Sequence, residues 1–168
     1  DKNTSATYDF IAEKYRKLII KRLLNFFIKK HFPKGIRLLH AGCGSGQVDV
    51  DIKDDYTITA LDISPKALDL YKVANGADAN TALGSIFQLP FEDNSFDGIY
   101  NLGVMEHFTP KEVESILEEF KRVLKPGGKI LMLWPPTFGL TTNALDFIHF
   151  VLNKIFRKNI QLHPPEVN

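Results

Sequence analysis

The chain has 168 residues, 44% of them hydrophobic and 24% charged, a length and composition suited to one globular domain around one core. Its 21 basic and 20 acidic side chains leave a formal charge of +1, which excludes a generic polyanion binder and sets nucleic acid aside as a partner. One cysteine, Cys43, forbids an internal disulfide, and histidines at 31, 40, 107, 149 and 163 lack zinc spacing, so no metal and a reducing, cytoplasmic setting are expected.

Charge is segregated along the chain. Residues 1–34 carry nine Lys and Arg against three acids, a local +6 that leaves −5 for the remainder. Within them Tyr8, Ile11, Ala12, Tyr15, Leu18, Ile19, Leu23, Phe26 and Phe27 recur at helical spacing among Lys14, Lys17, Lys21 and Arg22. This predicts a basic amphipathic helix ending before Pro33, a cap or lid on a domain spanning 35–168. Its apolar face either packs on that domain or docks on a membrane surface or substrate.

From Ile36 short apolar runs alternate with helical stretches, the pattern of successive βαβ units around a parallel sheet. Strands are predicted over Ile36–Ala41, Thr57–Asp62, Thr81–Ser85, Asp97–Leu102 and Lys129–Trp134. Ser64-Pro65 and Thr109-Pro110 each supply an N-cap followed by proline at the first helical position, starting helices that run to about Ala74 and to Leu124. Pro126-Gly127-Gly128 then turns the chain into the last strand. A helix is also expected after the glycines near residue 46, against the propensity of Val48-Asp49-Val50-Asp51-Ile52, which alternates like a strand. The Thr142–Lys158 stretch is apolar on too many sides for a one-faced helix, so it wants cover from the sheet, a C-terminal portion, a second subunit or a lipid-like substrate. No apolar run reaches the roughly 18–20 residues of a membrane span. The start at Asp1 and the polar tail are those expected of a portion of a longer product.

The residues with chemical content begin at Leu38-Leu39-His40-Ala41-Gly42-Cys43-Gly44-Ser45-Gly46, a strand delivered into a glycine turn. Glycine reaches positive φ without strain and lets a ligand lie against backbone N–H groups. A dinucleotide fingerprint starting at Gly42 requires glycine at position 47, which is Gln47, so a nicotinamide oxidoreductase is disfavoured. The G-x-G-x-G spacing instead suits a smaller moiety, such as an amino acid held by turn amides. Asp62 ends the second strand at the same sheet edge, where its carboxylate can grip both hydroxyls of a ribose.

With these residues the chain resembles the class I S-adenosylmethionine-dependent methyltransferases. The resemblance runs from about residue 36 to 135 through His40–Gly46, Leu61-Asp62-Ile63-Ser64, Leu89–Asp97, Val104-Met105-Glu106-His107 and Leu124–Gly128, and is similar in particular to quinone and sterol methyltransferases. It implies an α/β, Rossmann-like methyltransferase fold of about five parallel strands flanked by helices, with S-adenosyl-L-methionine as cofactor and S-adenosyl-L-homocysteine as product. It further implies that Ala41, Gly42, Cys43, Gly44 and Gly46 lie against the methionine part, Asp62 on the ribose and Ile63 on the adenine face. Ser85 and Ile86 then meet the adenine edge, and Asn101 and Leu102 stand near the sulfonium. Two departures stand out: the family usually has an acid where this chain has His40, and often an aspartate at Ser85. The family's closing antiparallel strand pair is not seen after Lys158. A truncated chain accounts for that, as does a minimal domain whose open edge a homodimer covers.

Methyl transfer requires the acceptor atom in line with the methyl and the leaving sulfur, and positioning alone supplies much of the barrier lowering. Where a proton must leave the acceptor, His107 is the expected general base, against a reading in which it only orients the Glu106 loop. Glu106 and Tyr8 are weaker candidates, and Tyr8 and Tyr15 belong to the lid. Cys43, between glycines, is read as a small filler. The activity expected is methyl transfer to a small, apolar or lipid-like acceptor, with peripheral lipid contact through the terminal helices; the alternative is a protein that keeps the pocket without catalysis.

Overall fold

The computed structural model of the chain describes residues 21–133. Expectations for Tyr8, Tyr15, Thr142–Lys158 and the closing strand pair lie outside the described residues. Helix α1 spans Lys21–His31, followed by strands β1 Arg37–Ala41 and β2 Thr57–Asp62, helix α2 Pro65–Asn75, strands β3 Thr81–Leu83 and β4 Phe96–Leu102, helix α3 Pro110–Val123 and strand β5 Leu124–Leu133. The strands pair in parallel in the order β3-β2-β1-β4-β5. This is the Rossmann-like sheet expected from the sequence. The order reverses between β1 and β4, so a crevice opens beyond their C-terminal ends.

Both proline-marked helix starts form as read. Ser64 Oγ accepts from the Ala67 N–H at 3.3 Å. Thr109 and Glu112 close a reciprocal capping box, with the Thr109 N–H donating to Glu112 Oε2 at 2.8 Å and the Glu112 N–H to Thr109 Oγ1 at 3.4 Å.

Alternation along the strands divides the core between two faces. Leu39, Ala41 and Ile99 pack with Ile116, Phe120 and Val123 of α3. Leu38 and Tyr100 pack on the other face with Leu24 and Ile28 of α1 and with Phe32 just after it. Phe96 joins the α3 face although it lies three residues before Ile99. Pairing is irregular just there, where two positions of β4 from Phe96 to Gly98 face five of β5 from Leu124 to Lys129. The Pro126-Gly127-Gly128 turn is thus a bulge inside β5 rather than a separator before it, and β5 starts at Leu124 instead of Lys129.

Two further expectations are corrected. Leu23 and Phe26 of α1 are 43% and 58% exposed, while Leu24, Asn25 and Ile28 turn inward. Ion pairs from Lys21 to Asp51 at 2.9 Å and from Lys29 to Asp55 at 3.2 Å hold the helix in that rotation. After the glycines there is only a single 3-10 turn, Asp49–Asp51, where a helix was expected. The β-branched residues and aspartates of Val48-Asp49-Val50-Asp51-Ile52 are mediocre helix formers, and that propensity prevails here.

The two long motifs that carry the resemblance are tied to one another. The Arg122 guanidinium donates to the carbonyls of Leu89 and Phe91 at 3.0 and 2.8 Å and to Asp93 and Glu119 at 2.8 and 2.9 Å. Asp97 accepts from Lys125 at 2.7 Å and from the Arg37 N–H at 2.9 Å. The Arg122 hydrogen bond holds the Glu119 carboxyl below the usual range, and the Lys125 hydrogen bond followed by the Arg37 N–H does so for Asp97. Carboxyls shifted down contribute stability above the ordinary carboxylate range and lose it as pH falls through their lowered values. The melting temperature is expected to fall on acidification below about pH 4. Arg122→Gln should lower it at neutral pH and make the acid decline shallower, as followed by circular dichroism.

Candidate functional site

The crevice beyond β1 and β4 is lined by the glycine turn, the end of β2 and the segment after β4. Gly42, Gly44 and Gly46 all have positive φ, of 75°, 52° and 64°. Their surroundings differ. A Cβ on Gly42 would stand 2.6 Å from Val104, and one on Gly46 would overlap Tyr71 and Asn75, so both are glycine for packing as well as conformation. A Cβ on Gly44 would meet nothing within 4 Å. Gly44 is therefore the place where a ligand can approach the main chain.

Four N–H groups of the turn are bonded within the protein. Gly42 and Cys43 both donate to the Leu61 carbonyl at 2.9 Å, and Gly46 donates to the Cys43 carbonyl at 3.0 Å. The Gly44 N–H donates to Asp62 Oδ2 at 2.9 Å, while Asp62 Oδ1 accepts from the Ser64 N–H at 2.9 Å. Asp62 thereby joins the turn to the end of β2, and each of its oxygens retains a lone pair for a ligand. Ile63 beside it is 74% exposed, an apolar face with no protein cover among the described residues.

The other residues implied by the resemblance spread around the same edge. Ser85 follows β3 and accepts on Oγ from the Phe87 N–H at 3.2 Å, while Ile86 is buried in the α3-side core. Asn101 Nδ2 donates to the Ala41 carbonyl at 2.7 Å, but its buried Oδ1 finds no donor among the described residues. Leu102 is half-buried, and His107 is exposed. Cys43 is buried, and burial first, then the charges of Asp62 and Asp49, push its thiol up to about 12. It stays protonated near neutral pH, consistent with a filler rather than a nucleophile.

Sequence reasoning missed the polar cluster behind the turn. Asp49 is completely buried and its carboxylate accepts from three elements at once. His40 Nδ1 of β1 lies 2.8 Å from Oδ2, the Tyr71 hydroxyl of α2 donates to Oδ2 at 2.7 Å, and the Tyr100 hydroxyl of β4 donates to Oδ1 at 2.7 Å. Burial, then the Asp49 charge, raises both tyrosines well above their ordinary value. Asn75 Nδ2 adds a bond to the Gly46 carbonyl at 3.0 Å. His40, read as a poor substitute for an acid facing the cofactor, is instead the partner of an acid nine residues further on. The only sequence signal was an aspartate in an apolar alternation, Val48-Asp49-Val50, which a half-buried strand would also show.

A methyltransferase domain model matches residues 39–132, more than half of the chain. The chain belongs to this methyltransferase domain family. It is 34% identical over 113 residues to an uncharacterized methyltransferase of Synechocystis, covering 61% of this chain and 53% of that protein. It is 30% identical over 117 residues to a demethylmenaquinone methyltransferase of Symbiobacterium thermophilum, covering 64% and 46%. Among solved structures it resembles a SAM-dependent methyltransferase from Methanosarcina mazei at 26% identity and a TM-score of 0.60, covering 76% of this chain and 66% of that one. The chain spans about half the length of these two curated relatives.

Removing the Asp49 carboxylate strands three donors that have no water to turn to. Asp49→Ala is expected to cost about 3–5 kcal/mol in chemical denaturation. Tyr71→Phe, which deletes one donor and leaves the carboxylate two others, should cost about 0.5–1.5 kcal/mol.

Proposed function

We propose that this domain binds S-adenosylmethionine and transfers its methyl group to a small, apolar acceptor of the quinone type. The observation that carries the cofactor reading is the hydrogen bond from the Gly44 N–H to Asp62, which unites an open, Cβ-free surface with a carboxylate at the switch point of the sheet. The acceptor sites fit the ligand's donors. Asp62 has lone pairs for ribose hydroxyls, the orphaned Asn101 Oδ1 for an ammonium, and Ile63 an apolar face for adenine. We assign Ser85 and Ile86, which follow β3, to the adenine edge and Leu102, at the end of β4, to the methionine side.

When bound, S-adenosylmethionine supplies an electrophilic methyl on a sulfonium and leaves as S-adenosylhomocysteine. The protein's part is orientation and exclusion of water. Val104, packed on Gly42, holds the segment after β4 against the turn. The quinone-type acceptor rests on likeness to a demethylmenaquinone methyltransferase and on the apolar composition of the terminal segments. The alternative of a pocket without catalysis draws only in part on His40, which has a structural partner of its own.

Isothermal titration of the native chain with S-adenosylhomocysteine should give one site per chain. Asp62→Ala should weaken it about 10- to 100-fold, the worth of a hydrogen bond to a charged group. Absence of binding by the native chain would contradict the cofactor reading.

A further inference from the structure

Beyond the glycine turn, the segment after β4 presents a second buried acceptor that no described residue satisfies. Glu106 sits in the 3-10 turn Met105–His107. That turn is rigidly seated: Met105 is 2% exposed in the α3-side core, the His107 N–H donates to the Val104 carbonyl at 3.2 Å, and the Phe108 N–H to the Met105 carbonyl at 3.3 Å. Glu106 Oε2 is buried and has no hydrogen-bond partner among the described residues. Oε1 stands 3.4 Å from where a Cβ on Gly103 would be, so the carboxylate lies over the glycine that follows β4. A buried carboxylate oxygen without a donor is costly, and at the edge of a ligand crevice an arriving donor would relieve that cost.

Two orphaned acceptors thus stand at the C-terminal end of β4, and their neighbours separate them. Asn101 is bonded to Ala41, directly before the glycine turn, on the side given above to the cofactor's ammonium. Glu106 comes after Val104, the residue packed on Gly42, and lies against Gly103 instead. His107, its neighbour in the turn, is exposed.

We infer that Glu106, rather than His107, is the group that accepts the proton of the methyl acceptor, an inference that rests on the cofactor reading above. The acceptor is then the reduced, dihydroxy form of the quinone-type molecule proposed above, because a quinone itself carries no O–H to lose. Its O–H bond breaks with the electron pair remaining on oxygen, the O–CH3 bond forms as the C–S bond of the sulfonium breaks onto sulfur, and the proton passes to Glu106 Oε2. The neutral carboxyl afterwards returns that proton to water.

Three readouts test this on the native chain, Glu106→Gln, Glu106→Asp and His107→Gln. Relief of a stranded buried charge should raise the melting temperature of Glu106→Gln by about 2–4 °C, where a structural glutamate would lower it. Calorimetry with S-adenosylhomocysteine should give an affinity within about twofold of native, because Glu106 faces the acceptor. With a prenylated 1,4-dihydroxynaphthalene as methyl acceptor, Glu106→Gln should lose at least about 100-fold in rate, Glu106→Asp should recover part of it, and His107→Gln should stay within a few-fold of native. If the native chain does not turn over this probe, the melting and affinity results decide. A lowered melting temperature, a loss of S-adenosylhomocysteine affinity of tenfold or more, or a rate lost with His107→Gln and kept with Glu106→Gln would each overturn the assignment. Failure of the native chain to bind S-adenosylhomocysteine would instead count against the cofactor reading itself.

Discussion

A carboxylate taken fully out of water must be surrounded by donors, and Asp49 draws its donors from three separate elements of the sheet and its helices. His40 comes from β1, Tyr71 from α2 and Tyr100 from β4. These three flank the glycine turn, so satisfying one acid fixes the spacing of β1 and β4 at the switch point and the approach of α2 to the turn. Tyr71 and Asn75 also fill the space that a side chain at Gly46 would need. Backbone conformation at the turn and the polar cluster behind it are therefore one constraint, and the crevice inherits its shape from both.

That constraint determines what chemistry is left at the surface of the crevice. The turn amides at Gly42, Cys43, Gly44 and Gly46 are consumed by Leu61, Asp62 and Cys43. What remains toward a ligand is a set of acceptors and apolar faces: Asp62, Asn101 Oδ1, Glu106 Oε2 and Ile63. Acceptors of this kind suit a ligand that brings hydroxyls and a positive charge, as an aminoacyl nucleoside sulfonium does, better than one that brings phosphates, which require donors. The same argument disfavours a dinucleotide on grounds independent of Gln47.

Much of this was legible in the sequence where local chemistry decides the outcome. Ser64-Pro65 and Thr109-Pro110 start helices because a side-chain oxygen and a fixed φ act within one turn of chain. The strands are legible because their apolar runs are buried on both faces of a parallel sheet. The site edge was likewise readable, since Gly42–Gly46 and Asp62 fall at strand ends. What the sequence concealed depends on contacts across the fold. The partnership of His40 with Asp49 spans β1 and the 3-10 turn, the rotation of α1 is set by Asp51 and Asp55 from elsewhere, and the bulge in β5 shows only in its pairing with β4 between Phe96 and Gly98. No periodicity within one segment encodes such facts. The Leu89–Asp97 and Leu124–Gly128 motifs, the most specific part of the resemblance, are largely devoted to the Arg122 and Asp97 bonds that seat β4 and β5.

The account stands or falls on the glycine turn and Asp62 acting together as one ligand cradle. Amide hydrogen exchange of the native chain, followed at single-residue resolution with and without S-adenosylhomocysteine, addresses that directly. Slower exchange confined to residues 42–47, 62–64 and 101–106, with α1 and α3 unchanged, is the predicted result. Protection that falls elsewhere while these segments exchange as before would show that the crevice between β1 and β4 is not where the nucleoside binds.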